Sequence, residues 1–284
     1  MKAGLVILVT GASSGIGFDA ARTLSRQGHR VYAAARRVEL MEPLRSDGVV
    51  PLPLDVTDSQ SMEVCVKTIL DKEGHIDVLV NNAGYGYFGA IENVSMEEAR
   101  RQMEVNVFGL AQMCRLVIPV MREQGFGRII NTSSIAGKMV LCFGGWYHVS
   151  KYSVEAFSDA LRMEMKPFGI DVSMIEPGGI KTDWGIIAAN HLAECSAGTP
   201  YEKAAIGMAN VMHYGYSGNL LSSPSVVTKA ISRAVNSRRP RPRYRIGRGS
   251  HLLVFLHWLL PTRWWDALMR RSAAIKVKFE SVNV

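Results

Sequence analysis

The sequence predicts an α/β fold, a single doubly wound parallel sheet with a C-terminal lid and cap, and three features predict it. Short, β-branched apolar runs recur along the chain and alternate with longer stretches of helical periodicity. The first run passes directly into a glycine-rich turn and then a helix. Polar signatures stand at the ends of the runs, where open α/β sheets gather their ligands.

The elements follow in order. Leu5 to Val9 is continuous and β-branched, as expected of a central strand buried on both faces. Further strands are expected at Val31 to Ala35, Val49 to Leu54, Ile76 to Val80, Gly127 to Thr132 and Ile170 to Glu176, with a short one near Tyr244 to Ile246. Helical patterns run from the glycine turn to about Gln27, then near Ser59 to Lys72, Ser95 to Arg122, Tyr147 to Phe168 and Val226 to Asn236. Strand–helix alternation implies right-handed crossovers with helices on both faces. Residues 1–250 read as the catalytic domain, with a lid over about 183–223, and 251–284 as a helical cap or tail whose last residues, Val277 to Val284, show no pattern.

Composition sets bounds. The 284 residues are 48% hydrophobic and carry a formal charge of +8, enough for a large core and permissive of anionic partners. Cys65, Cys114, Cys142 and Cys195 are widely spaced, which argues against structural zinc and a disulfide framework and points to a reducing cytoplasmic setting. No metal site is expected. The start of the chain lacks a cleavage pattern, and no run approaches the roughly 20 apolar residues of a spanning helix.

The chemistry concentrates between Asn131 and Lys151. Tyr147 and Lys151 are four apart and so share one face of a helix. A free phenol has a pKa near ~10, and an adjacent ammonium is expected to lower it until the ring can pass a proton to or from a carbonyl oxygen. Ser133 and Ser134 lie upstream, and alternation lets only one of them face the phenol.

At the other end of the site, Gly11, Gly15 and Gly17 make a tight turn after the first strand, within Thr10-Gly11-Ala12-Ser13-Ser14-Gly15-Ile16-Gly17. The turn lets a pyrophosphate approach backbone N–H groups at a helix start. The second strand ends in Arg36-Arg37 without an acidic residue. A guanidinium fork suits a 2′-phosphate, so NADP(H) is expected over NADH.

These stretches together resemble the short-chain dehydrogenase/reductase family. The carriers are Thr-Gly-x-x-x-Gly-x-Gly, Asp55-Val56, Asn81-Asn82-Ala83-Gly84, Tyr147-x-x-x-Lys151 and Pro177-Gly178, and the match extends from the first strand to about residue 182. The resemblance selects Ser134, thirteen residues before Tyr147, as the hydroxyl that holds the substrate oxygen. It implies that Tyr147 passes the proton and that Lys151 tunes it and grips the cofactor ribose. Asn106 would hold a relay water. Thr10, Ser13, Ser14 and Ile16 would join the glycines around the phosphates. Asp55 and Val56 would hold adenine, while Asn82, Ala83 and Gly84 leave room for adenosine. Pro177, Gly178, Ile180 and Thr182 would border the nicotinamide. The resemblance also implies a homodimer or homotetramer, and the steroid and retinol dehydrogenase branch is nearest.

The residues between Ser134 and Tyr147, including Met139, Val140, Leu141, Cys142, Phe143 and Trp146, together with Trp184, Ile186 and Ile187, are apolar and suit a bulky ketone or alcohol. His148, next to Tyr147, points away from it and reads as structural. A non-catalytic dinucleotide sensor of the same fold stands as the alternative, as does a peripheral membrane lipid-ketone reductase. The basic run Arg238 to Arg248 and the apolar, aromatic stretch His251 to Trp265 allow contact with a membrane surface, but a helix packed over the domain is preferred. Nucleic-acid binding is not expected, because the arginines lack interleaved stacking aromatics.

Overall fold

A computed structural model describes residues 4–218 and 221–273, so Val277 to Val284 lie outside the described residues. Among the described residues, seven parallel strands form one sheet in the order β3-β2-β1-β4-β5-β6-β7. They are β1 (Val6–Thr10), β2 (Arg30–Ala35), β3 (Val50–Pro53), β4 (Val78–Asn81), β5 (Gly127–Thr132), β6 (Ile170–Pro177) and β7 (Arg243–Ile246). The order reverses between β1 and β4, which opens a crevice at the carboxyl ends of these strands.

The helices of the main layers are α1 (Gly15–Arg26), α2 (Ser59–Glu73), α3 (Met96–Met103), α4 (Leu110–Gln124), α5 (Gly145–Met165) and α8 (Pro224–Asn236). A lid of α6 (Trp184–Ser196) and α7 (Glu202–Ser217) precedes α8, and α9 (Ser250–Leu259) and α10 (Thr262–Ala273) follow β7. A 3₁₀ segment, Val38–Asp47, fills a loop that the sequence left without structure.

Strand alternation splits the core in two. Ile7, Val9, Val31 and Ala33 face α1 and α8, while Val6, Leu8, Tyr32 and Leu79 face α2, α4 and α5. The central strands are buried on both sides, which their unbroken apolar character requires. Each fully buried Ile or Leu contributes about 1.5–3 kcal/mol relative to exposure. Arg128 on β5 is one of several buried polar residues on the strands, beside Asn81, Asn131 and Glu176. Its guanidinium turns to the end of α8 and donates to the carbonyls of Ala234, Val235 and Ser237, so an otherwise buried charge caps that helix.

Two expectations shift. Met96 to Gln124 is one continuous helix, long and apolar enough by length and mean hydropathy to cross a membrane, contrary to the reading that no such run exists. Here it is a layer of the fold, with Met113, Cys114, Val117 and Met121 buried against the sheet. The helix also changes pitch. Glu104–Gly109 forms a π turn, and Gly109 packs so close to Val56 that a Cβ there would stand 2.3 Å from the Val56 carbonyl oxygen.

Candidate active site

The glycine turn is built by contact. A Cβ on Gly11 would stand 2.6 Å from the Ala83 Cα, and one on Gly17 would stand 2.4 Å from the Gly11 oxygen and 2.6 Å from the Asn82 Nδ2. Gly11 also has φ of +65°, which disfavours any side chain. Asn82 holds the turn by donating from Nδ2 to the carbonyls of Thr10 and Gly11, both at 3.3 Å. The Thr10 hydroxyl accepts from the amides of Asn82 and Ala83. These bonds sew the β1 and β4 loops together and leave the start of α1 facing outward.

That helix start is suited to an anion. Its N-cap, Ser14, makes no side-chain capping bond, and no acidic residue stands in the first turn. Ser14 and Gly15 are exposed, Ser13 and Ile16 half-buried, and the Thr182 methyl lies against Gly15. First-turn N–H groups with no internal acceptor attract phosphate oxygens. Arg36 and Arg37 are exposed at the carboxyl end of β2, beside this turn. Burial tends to raise the Asp55 carboxyl, but the amide and hydroxyl of Thr57, with Arg36 and Arg101 nearby, hold it below the ordinary range. The donor set and the clear backbone therefore fit a phosphorylated dinucleotide. Among the described residues no group of acidic, His and Cys side chains could hold a metal, and all four cysteines are free.

The reacting end lies where β5, α5 and β6 meet. Ser134 follows β5 in extended conformation, and its hydroxyl accepts from the Ala136 amide at 3.1 Å. It donates toward the Pro177 carbonyl at 3.2 Å and also reaches the Tyr147 phenol. Ser133 points the other way, buried and without a partner. Alternation thus places one hydroxyl on each face, as expected, and Ser134 is the one beside the phenol.

Lys151 stands one turn along α5, its Nζ 5.8 Å from the centre of the Tyr147 ring and bonded to the Thr132 carbonyl at 3.0 Å. Burial pulls its pKa from 10.5 down to about 8, with the Glu155 carboxylate acting in the opposite sense. The phenol differs from expectation. Burial pushes it above its ordinary value, the Ser134 hydroxyl lowers it and the nearby Tyr216 raises it further. The expected tuning by Lys151 is not among the influences on the phenol: desolvation of the ring dominates, and the ammonium bonds the Thr132 carbonyl instead.

Asn106 sits in the π turn, fully buried. Its Nδ2 donates to the Tyr85 carbonyl at 2.8 Å and to the Ser150 hydroxyl at 3.0 Å, and its Oδ1 accepts from the Tyr85 amide at 3.0 Å. The two bonds to Tyr85 hold the segment after Asn82-Ala83-Gly84 against the π turn, and the bond to Ser150 ties the π turn to α5. A Cβ on Gly84 would come within 3.0 Å of the Asn106 Oδ1 and 3.8 Å of the Lys151 Nζ, so Gly84 keeps the two amide- and amine-bearing side chains within reach of one another. His148 is structural as expected. It bonds the Ala136 carbonyl through Nδ1, accepts the Leu141 amide at Nε2, and is held neutral by burial.

On the nicotinamide side, the Gly178 amide donates to the Ile246 carbonyl at 2.7 Å and Ile180 bridges to Ser222. Val56 is buried in the sheet core beneath the Asp55 turn.

The lid closes over the phenol with aromatic rings. Trp184 lies 5.0 Å from Tyr147 by ring centres, with Phe88 5.7 Å from Tyr147 and 6.0 Å from Trp184. Tyr216 lies behind Trp184, tilted by 41° with ring centres 6.4 Å apart. The approach depends on missing side chains: a Cβ on Gly86 would meet Trp184 at 2.2 Å, and one on Gly185 would meet Tyr216 at 2.2 Å. Leu141, Cys142, Phe143 and Trp184 join this cluster as expected. Met139 instead packs under α10, and Val140 and Ile187 face solvent. Phe88 and Tyr216 carried no signal at the sequence level, since neither belongs to a motif.

Comparison with known proteins agrees with this geometry. The family model for short chain dehydrogenase matches residues 5–189. The chain belongs to the short-chain dehydrogenase/reductase family. A probable short-chain type dehydrogenase/reductase of Helicobacter pylori, VdlC, is 36% identical over 263 residues, covering 93% of this chain and 96% of that one. The 3-ketodihydrosphingosine reductase of Bacteroides thetaiotaomicron is 45% identical over 178 residues, 62% of this chain and 64% of its own. A short-chain dehydrogenase structure from Streptomyces avermitilis superposes with a TM-score of 0.79 at 30% identity, covering 96% and 99% of the two chains. An alcohol dehydrogenase from Thermococcus sibiricus, solved with 5-hydroxy-NADP, gives 0.69 at 26% identity and covers 86% and 96%. The protein is thus an NADP-dependent dehydrogenase/reductase acting on CH–OH groups and carbonyls, and the alternative of a non-catalytic sensor falls away.

Proposed function

We propose that this enzyme interconverts a bulky apolar ketone or aldehyde and the corresponding alcohol, of the lipid, steroid or retinoid kind. The observation that carries the reading is the aromatic and aliphatic enclosure of the Tyr147 phenol by Phe88, Trp184, Tyr216 and Leu192. An apolar ligand gains by area when it replaces these contacts, whereas a small sugar would strand its hydroxyls there. The 45% identity to a protein named for reduction of a long-chain keto base supports the lipid member of the class.

Ser134 holds the carbonyl oxygen by turning its hydroxyl from the Pro177 carbonyl toward the ligand. Tyr147 gives its phenolic proton to that oxygen. NADPH, once bound, would supply the hydride for the carbonyl carbon. Lys151, still largely protonated at neutral pH, steadies the phenolate left behind and would reach the ribose hydroxyls of a bound cofactor, while Asn106 fixes the spacing of the π turn against its neighbours and supports the relay of a proton back to the ring. Arg36 and Arg37 would hold the 2′-phosphate, the start of α1 the pyrophosphate, and Asp55 the adenine. Oxidation uses the same groups in reverse. The chain works in the cytoplasm as a homodimer or homotetramer.

A panel of long-chain 3-keto bases, steroid ketones, retinal and small sugars, assayed for NADPH consumption, tests the reading. Turnover confined to small polar sugars overturns it. In Tyr147→Phe, turnover should fall by about 10²–10⁴-fold, with NADPH binding held within about twofold.

A further inference from the structure

The C-terminal helices carry their apolar side outward. At 3.6 residues per turn, His251, Leu252, Phe255, Trp258 and Leu259 fall within an arc of about 120° on α9. All five are exposed, Trp258 to 77%. The opposite arc, Leu253, Val254 and Leu256, packs on Ile135, Met139 and Trp265. A helix of a water-bounded surface shows the reverse arrangement. On α10, Trp264, at 68% exposure, shares a flank with Leu268 and Arg271. The sequence reading preferred a helix that packs down over the domain, yet only one side of α9 does so.

The cations beside this face are as informative. His251 closes one side of a cleft of about 420 Å³ whose walls include Lys229 and Arg233, one turn apart on α8, and Arg241 just before β7. Among the described residues, none of Lys229, Arg233 and Arg241 makes an ion pair. Arg243 and Arg245 form the floor and are neutralised by Glu155, Asp159 and Glu176. An apolar, Trp-bearing face bordered by unpaired cations complements an anionic lipid surface.

We propose that α9, α10 and the adjoining basic cleft dock this enzyme on the surface of an anionic phospholipid bilayer. Ser250–Leu259 is ten residues, about 15 Å, half the depth of a hydrocarbon core near ~30 Å, so the helix lies in the interface and does not cross. A second copy of the chain is the weaker occupant, because a twofold contact across this face sets the same cations against themselves. The proposal does not rest on the substrate: it holds for any reaction at Tyr147.

The full chain is mixed with sucrose-loaded vesicles of phosphatidylcholine, with or without about a quarter phosphatidylglycerol, and sedimented. Co-sedimentation should be at least about tenfold stronger with phosphatidylglycerol and should weaken with salt. Phe255→Ser/Trp258→Ser should reduce it about tenfold and leave NADPH turnover of a water-soluble ketone unchanged, which also reports folding. Lys229→Glu/Arg233→Glu should abolish the preference for phosphatidylglycerol and decides the matter should the first variant fail to fold. Failure to sediment with either vesicle, binding unaffected by both variants, or an oligomer that the Phe255→Ser/Trp258→Ser change dissociates would each overturn the proposal.

Discussion

Replacing Lys151 by Met should make the fold more stable at neutral pH while it stops turnover. The ammonium is held inside the protein with its pKa drawn from 10.5 to about 8, a drop of about 2.5 pH units. At about 1.4 kcal/mol per unit, keeping the charge buried costs about 3 kcal/mol wherever both folded and unfolded states are protonated. Methionine removes this cost and fills similar volume. It also strips the Thr132 carbonyl of its donor at 3.0 Å, an opposing loss of about 1–3 kcal/mol. Glu155 is not orphaned, because Lys138 remains 2.7 Å away. The net gain is about 0–2 kcal/mol, which raises the melting temperature by up to roughly 6 °C for a chain of this size. The pH dependence follows from the direction of the shift. Between pH 8 and 10.5 the unfolded chain binds the proton that the folded chain has released, so the stability of the parent rises with pH through that window. Denaturant midpoints of parent and variant, measured from pH 7 to 10, should therefore converge as pH increases. A variant less stable than the parent at pH 7, or an advantage that grows with pH, would refute the reasoning.

Arg36→Ser/Arg37→Ser should raise the KM for NADPH at least about tenfold with little change for NADH, since each charge-assisted phosphate contact is worth about 1.5–3 kcal/mol, and steady-state kinetics with the two cofactors checks it. Glu176→Ala removes a carboxylate with no solvent exposure that pairs with Arg243 at 3.2 Å and Arg245 at 2.9 Å. The loss should be near the lower end of the 3–5 kcal/mol typical of broken buried pairs, about 3 kcal/mol, because both arginines retain some solvent, and thermal melting should fall by roughly 6 °C or more.

Much of the fold was legible because its signals are local. Unbroken apolar strands, the glycine turn and the Tyr147–Lys151 spacing each follow from one short window of sequence, and the structure places them where parallel crossovers require. The π turn around Asn106 was not legible. It is imposed by bonds from Asn106 to Tyr85 and Ser150, partners far along the chain, on a stretch whose periodicity is plainly helical. The basic run was legible as charge but not as two populations. Strand register places Arg245 beside Glu176 and Arg243 beside Met174, so these two turn inward to the buried acids. Phe88 and Tyr216 reach the phenol only through lid packing, which no local pattern records. The altered acidity of Tyr147 has the same origin: residue spacing gives the neighbour, whereas burial by the whole lid sets which influence prevails.

The indole of Trp265 donates to the Val140 carbonyl at 3.2 Å, and its ring covers Ile135 and Met139 in the segment that leaves Ser134. Shortening the protein before Ser250 would therefore do more than trim an appendage. It would unroof the backbone that aims the substrate-facing hydroxyl and bare several greasy side chains at once. Fusion partners or purification handles are accordingly safer at the amino end of this enzyme than grafted in place of α9 and α10.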